Sequence, residues 1–293
     1  MSPIAAAPNF SLEVFPPRSP NAERRLSETL AQLDPHSPSF VSVTFTGGDG
    51  AHDRAATTIA RVKRQVSTPV AAHLTCAGDT KAETLSSVDT FASMGVRHIV
   101  ALRGDAPTEA PDGFRSAAEL VAAIRARSDA RISVAAYPDP HPLSASPEAD
   151  VDNLVAKFDA GADDAITQFF FETDSFLRLR DALAARGVDK PLIPGVLPIV
   201  DFAQVRRFAL RCGAHIPQTL TKSFKRLKDD PKAAELYALT ITLTMIGRLA
   251  REGVEDFHIY ALNQWRLPKQ IISLSQAGAA LDAADEAIRS VQA

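Results

Sequence analysis

Short apolar runs recur along the chain, and one after another they end in polar or acid–base groups. Ser11-Leu12-Glu13-Val14-Phe15 carries a carboxylate inside a run. Val41-Ser42-Val43-Thr44-Phe45-Thr46 ends in hydroxyls, and Ala72-His73-Leu74-Thr75 ends in an imidazole and a hydroxyl. His98-Ile99-Val100-Ala101-Leu102 leads straight into Arg103-Gly104-Asp105. Ser133-Val134-Ala135-Ala136 leads into Tyr137 and His141, and Ala165-Ile166-Thr167-Gln168-Phe169 holds an amide. A charged or amide group in a buried strand costs several kcal/mol unless it is paired. One such strand fits a structural network, whereas a series of them predicts strand ends arranged around a ligand.

The runs read as strands at Phe10–Phe15, Phe40–Thr46, Val70–Thr75, His98–Leu102, Ile132–Ala136, Ala165–Phe170, Leu192–Val196 and Asp256–Leu262. Helical stretches alternate with them near Asn21–Leu33, Asp53–Gln65, Lys81–Met94, Ala117–Arg127, Glu148–Ala160, Ser175–Arg186, Phe202–Arg211 and Lys232–Glu252. Asp53, Thr80 and Asp201 stand where N-caps are expected. Gly95, Gly161, Gly187 and Gly253 follow helices as C-terminal caps do. About eight βα units without a linker-like break predict an α/β fold, a single-domain (βα)8 TIM barrel spanning residues 1–293, in preference to an open doubly wound sheet. The site of such a barrel lies at the C-terminal ends of its strands, where most of these polar groups fall.

Composition narrows the function classes. The chain has 293 residues, 45% hydrophobic and 23% charged, which suits one large domain or two small ones. A net charge of -3 carries no nucleic-acid signature. Cys76 and Cys212 are far apart, and CxxC and Cys/His zinc spacings are absent, so neither a disulfide framework nor a metal site is expected. The stretch Met1 to Asn9 lacks the basic and apolar regions of a signal peptide, and no apolar run of about 18 residues predicts a membrane span. The expectation is a cytoplasmic protein. Gly47-Gly48-Asp49-Gly50 lacks the Lys-Ser/Thr of a phosphate loop and reads as a flexible βα loop near the site. There is no GxGxxG fingerprint, so a bound dinucleotide would not sit on a Rossmann unit.

In order and spacing the segments resemble bacterial methylenetetrahydrofolate reductase, a flavin-dependent (βα)8 barrel. The matching segments are Leu12-Glu13-Val14-Phe15-Pro16-Pro17, Ser42-Val43-Thr44, His73-Leu74-Thr75-Cys76, Arg97 to Asp105, Ala136-Tyr137-Pro138 and His141-Pro142. They continue through Asp159-Ala160-Gly161-Ala162, Ile166 to Phe171, Ile193-Pro194-Gly195 and Gly253 to His258, so the resemblance runs from about Phe10 to Asn263. It implies reduction of 5,10-methylenetetrahydrofolate to 5-methyltetrahydrofolate by NAD(P)H through bound FAD, in one-carbon metabolism serving methionine biosynthesis. It also implies a homo-oligomer. No counterpart of the regulatory domain of the eukaryotic members is expected after the barrel.

The resemblance gives the residues roles. Glu13 matches the general acid that protonates the departing N10 of the folate; read from its strand alone, it could equally pair with an arginine. Asp105 matches an aspartate beside the flavin ring and pterin, where a negative charge stabilises a cation; alone, it reads as a cap. Gln168 matches a pterin-binding amide, which both donates and accepts, and is otherwise a satisfied core residue. Thr44, His73, Arg103, Gly104, Asp105, Tyr137, His141, Asp150, Asn153 and Lys157 match FAD contacts. Arg103 and Lys157 suit the pyrophosphate and Asp150 a ribose. Asp150, Asn153 and Lys157 share one helix face, which without the resemblance reads as solvated. Gln204 and Phe208 match the folate and NADH pocket, although a helical Phe is more often core, and Tyr260 matches a substrate contact. The chain departs from the family at Ala156, commonly basic, at Ser116, commonly aromatic, and at Gln264, commonly arginine. The departures bear on FAD affinity and on the folate tail. Two other functions compete: a flavin-free barrel that passes a hydride directly from NAD(P)H to folate, and a pterin-binding barrel without turnover.

Overall fold

The computed structural model describes residues 7–45, 50–104, 110 and 112–292, with the side chains of 280–292 excepted. Strands and helices alternate: β1 Asn9–Val14, α1 Pro20–Leu33, β2 Val41–Val43, α2 Ala51–Gln65, β3 Val70–Thr75, α3 Lys81–Ser93, β4 His98–Leu102, α4 Ala117–Arg127, β5 Arg131–Ala136 and α5 Pro147–Asp159. They continue with β6 Asp164–Thr167, α6 Thr173–Ala184, β7 Leu192–Ile193, β8 Gly195–Val196, α7 Phe202–Cys212, α8 Gln218–Arg226, α9 Pro231–Arg251, β9 Asp256–Tyr260 and α10 Arg266–Gln292.

All strand pairs are parallel, in the order β7-β6-β5-β4-β3-β2-β1-β9-β8. β7 and β8 are halves of one strand broken at Pro194, which has no N–H to give to a ladder. Ile193 pairs with Ile166 of β6, and Gly195 and Val196 pair with His258 and Ile259 of β9. The two ends of the sheet meet through this broken strand, and the α/β chain closes as a TIM-type barrel.

Alternation along the strands sorts the residues into two packings. Leu12, Val14, Val43, Leu74, Ile99, Ala101, Ile132 and Val134 face outward and bury against the helices in the main core. Phe40, Ala71, Val100, Ile166 and Ile193 form a separate apolar cluster in the lumen. Register places Glu13 beside Ser42 and Tyr260, and His73 beside Val100, on that inward face. Glu13, Thr44, His73, Arg103, Tyr137, Gln168 and Tyr260 all lie within the last residues of a strand or just past it.

Local chemistry explains the helix starts. Thr80 and Glu83 close a capping box on α3, and Asp201 accepts from Ala203 and Gln204 at the start of α7. Asp53 is not a cap: it lies in the first turn of α2, whose N-cap is Gly50 at φ +67, a conformation glycine adopts without strain. Strand β2 ends at Val43, short of the expected Thr46. Helices α8 and α10 extend beyond the expected pattern. Among the described residues no helix is long and apolar enough to cross a membrane.

Candidate active site

Glu13 is the one carboxylate that β1 carries into the lumen, and it is almost wholly buried. Its Oε2 stands 3.5 Å from His73 Nε2 and 3.8 Å from His258 Nε2. Its ionic neighbours among the described residues are therefore imidazoles, not an arginine. Burial holds His73 below the ordinary imidazole range, against the pull of Glu13. At neutral pH His73 is uncharged, and the contact is no ion pair. Thr44 Oγ1, His73 Nε2 and His258 Nε2 are buried without a hydrogen-bond partner among the described residues. Such orphaned groups are costly unless a ligand or a shared proton completes them.

A second polar layer supports the first. His258 Nδ1 and Ser11 Oγ lie 2.7 Å apart, and the Ser11 hydroxyl also reaches the Phe257 carbonyl at 3.3 Å. His258 stacks on Phe40, with ring centroids 5.6 Å apart, and Phe40 meets the edge of His98 at 4.5 Å. His98 Nε2 lies 2.7 Å from Ser133 Oγ, which donates to Asp164, and Asp164 in turn accepts from Arg131. Ser11, His258, His98, Ser133 and Asp164 are functional candidates that carry no expected role from the sequence. Their common signal is a polar residue at an inward position of an apolar strand.

Beside Glu13, the Tyr260 hydroxyl donates to the Thr167 carbonyl at 2.7 Å. Burial first, and the Glu13 charge second, hold this phenol protonated. Gly195 gives it room, because a Cβ there would overlap the Thr167 carbonyl and stand 2.7 Å from the Tyr260 ring. Gln168 accepts from the Phe169 N–H at 3.0 Å through Oε1, which leaves its amide hydrogens as the available donors. Asn263, at φ 52, ties the β1 exit to the β9 exit, accepting from Phe15 N and donating to Phe15 O, both at 2.9 Å.

The expected cofactor residues divide. Arg103, His141, Asp150 and Asn153 line a single cavity of about 230 Å³ with Leu143 and Ser144. Gly104 sits at φ +90 against Thr75, and the Arg103 carbonyl accepts from Cys76 and Ala77. Asp150 already accepts from the His141 N–H at 2.8 Å. His141 Nδ1 accepts from Leu143 N, which leaves its proton on Nε2, and its ring packs edge-on to Tyr137. Lys157 turns away from the cavity. Its Nζ donates to the Ala135 carbonyl at 2.8 Å, and burial lowers its pKa to about 8. The donor set of this cavity, a guanidinium with a carboxylate and a carboxamide, fits a dinucleotide with phosphate and ribose groups.

Gln204 and Phe208 lie on α7, where Phe208 packs against the main core. Asp105 and the Thr46 to Asp49 stretch lie outside the described residues. Ser116 has a structural role, as its hydroxyl caps α4. Ala156 is exposed on α5. Among the described residues no group of His, Cys, Asp and Glu could hold a metal.

A family model described as methylenetetrahydrofolate reductase matches residues 2–276. A 5,10-methylenetetrahydrofolate reductase of Pectobacterium carotovorum is 40% identical over 259 residues, covering 88% of this chain and 87% of the relative. That of Escherichia coli K12 is 41% identical over 256 residues, covering 87% and 86%. A rice protein described as a probable methylenetetrahydrofolate reductase (NADH) is 31% identical, covering 87% of this chain and 46% of its own length. A solved dihydropteroate synthase of Stenotrophomonas maltophilia superposes with TM-score 0.52 at 11% identity, over 94% of each chain, a likeness of fold alone.

Proposed function

Because the chain belongs to the methylenetetrahydrofolate reductase family, we propose that it reduces 5,10-methylenetetrahydrofolate to 5-methyltetrahydrofolate with NAD(P)H, using FAD, and that Glu13 is the general acid. The rice relative's name supports NADH as the donor. The observation that carries the reading is the Glu13 carboxyl, buried at the inward end of β1 between two imidazole nitrogens without partners.

Opening the folate's five-membered ring requires a proton on the departing N10. In this reading Glu13 delivers that proton at the buried end of the strand. The neutral His73 ring faces it without drawing it into an ion pair. Ser11 fixes the ring of His258. Gln168 offers its amide hydrogens to the pterin, and Asp105 supplies the negative charge that steadies the cation formed on ring opening. Arg103 would meet a phosphate and Asp150 a ribose, with Asn153, Thr44 and His73 as further contacts to the cofactor. FAD held by these residues would supply the hydride relay between the nicotinamide and the folate.

The test is Glu13→Gln. Folate reduction should fall about 10²–10⁴-fold, while NADH oxidation with menadione, which needs no proton on a leaving nitrogen, is retained. Equal loss of both activities would make Glu13 structural and overturn the assignment.

A further inference from the structure

Two neighbouring helices carry a concentrated charge that no role above uses. From Phe202 to Lys228 the sequence has seven Lys or Arg and no Asp or Glu, on a chain of net charge -3, so the rest of the chain is acidic. Arg206, Arg207 and Arg211 lie on α7, and Lys222, Lys225 and Arg226 on α8, all of them exposed. Among the described residues none of the six is in an ion pair, and Lys228 beyond them meets Asp229 at 3.7 Å. The Phe202 and Phe224 rings stack with centroids 4.5 Å apart, so the two helices pack together as one basic unit. Like charges at this density repel one another, and an anion offsets that cost.

The unit sits on the rim of the C-terminal face. α7 starts after β8 with Asp201 as its cap, and its far end is seated on the loop from β5 to α5. A Cβ on Gly213 would stand 2.8 Å from the Pro140 carbonyl and 2.9 Å from the Pro142 ring. Asp139 of the same loop accepts from the His215 N–H at 2.9 Å. Both ends of α7 therefore meet segments that leave the C-terminal ends of strands, and α9, not α7, makes the return to β9. The loop under Gly213 also carries His141, Leu143 and Ser144 into the cavity that Arg103 lines. We propose that the α7–α8 face is an electrostatic collector that draws the nicotinamide donor, a pyrophosphate-bearing anion, to this mouth. A field of one sign beside a low-dielectric cleft raises the local concentration of the opposite ion and its encounter rate by about 10- to 10³-fold at low salt. The inference rests on the NAD(P)H reading above, and it adds residues that act on the donor before it is bound.

The test compares a charged donor with an uncharged one on the same protein, with menadione as acceptor. For NADH, kcat/KM should fall about tenfold between roughly 10 mM and 150 mM NaCl, as the screening length shrinks from about 30 Å to about 8 Å. For N-benzyl-dihydronicotinamide, which carries no charge, it should not fall. The combined variant Arg206→Gln, Arg207→Gln, Lys222→Gln and Lys225→Gln changes exposed side chains only. It should lower kcat/KM for NADH about tenfold at low salt and flatten its salt dependence, with kcat and Tm kept. Equal salt dependence in parent and variant, or an equal fall for both donors, overturns the proposal. Calorimetry with tripolyphosphate at low salt reads the face without turnover. The variant should bind it about fivefold more weakly than the parent, and equal binding also overturns the proposal. A parent that binds tripolyphosphate at this face but does not oxidise NADH would fail the donor reading and keep the surface. One that oxidises NADH with no response to salt would keep the reading and lose the surface.

Discussion

At Tyr260 a hydrogen bond sets a structural role beside the expected one. A substrate contact was expected there, yet the hydroxyl is engaged with Thr167 and held protonated by burial. Tyr260→Phe should lower stability by about 1–2 kcal/mol by leaving that carbonyl unsatisfied. Its signature is a lower Tm with an unchanged KM for folate. A raised KM at constant Tm would restore the substrate contact. His98 gives a second residue-scale test. Burial chiefly, with the Arg131 charge, lowers its pKa from 6.5 to about 3. As pH falls through this window, the unfolded chain takes up a proton that the folded chain refuses. Stability is therefore intact above the window and falls by about 1.4 kcal/mol per pH unit within it. Denaturant melts of His98→Gln should show a shallower acid slope than the parent, less its His98 share. Identical slopes would place the acid sensitivity elsewhere. The series of polar strand ends set Glu13 and His73 around one ligand. It could not show the contact between His258 and Ser11, which are 247 positions apart.

At the scale of elements, most of the barrel was legible because its strands are apolar runs with a clear period and its helices start and stop at strong signals. β3, β4 and α4 fall at their expected bounds. α8 was missed because it is a short helix of 9 residues without a side-chain cap. α10 was not among the expected helices; its Pro268 stands in the first turn, where proline is tolerated. The break at Pro194 was not legible either, since the run Leu192–Val196 reads as one strand. Gly195 is the most sensitive position on that strand. Gly195→Ala would drive a methyl into the Thr167 carbonyl and the Tyr260 ring. The expected cost is about 3 kcal/mol, read as a drop in the denaturant midpoint, with early hydrogen exchange in β8 and β9. A midpoint within error of the parent would mean that β6 and β8 can separate without penalty.

For the whole molecule, the open chemical issue is how firmly the C-terminal face would hold the proposed dinucleotide. Arg103, His141, Asp150 and Asn153 share a cavity, but Lys157 is spent on Ala135 and Ala156 offers no charge. One charge-assisted hydrogen bond to a phosphate contributes roughly 1.5–3 kcal/mol, one to two decades of affinity. The protein should therefore purify yellow but under-loaded, and added FAD should raise its activity. Ala156→Arg should slow FAD loss on dilution, followed by the recovery of free-flavin fluorescence. Placing the cation on an exposed α5 position leaves the half-buried Lys157 undisturbed, so a change in the rate reports phosphate contact and not repacking. A colourless protein that ignores added FAD and still oxidises NADH with methylenetetrahydrofolate would overturn the cofactor assignment. The hydride would then pass directly from nicotinamide to folate in the same lumen, and Glu13 would keep its role, because N10 needs a proton on either route.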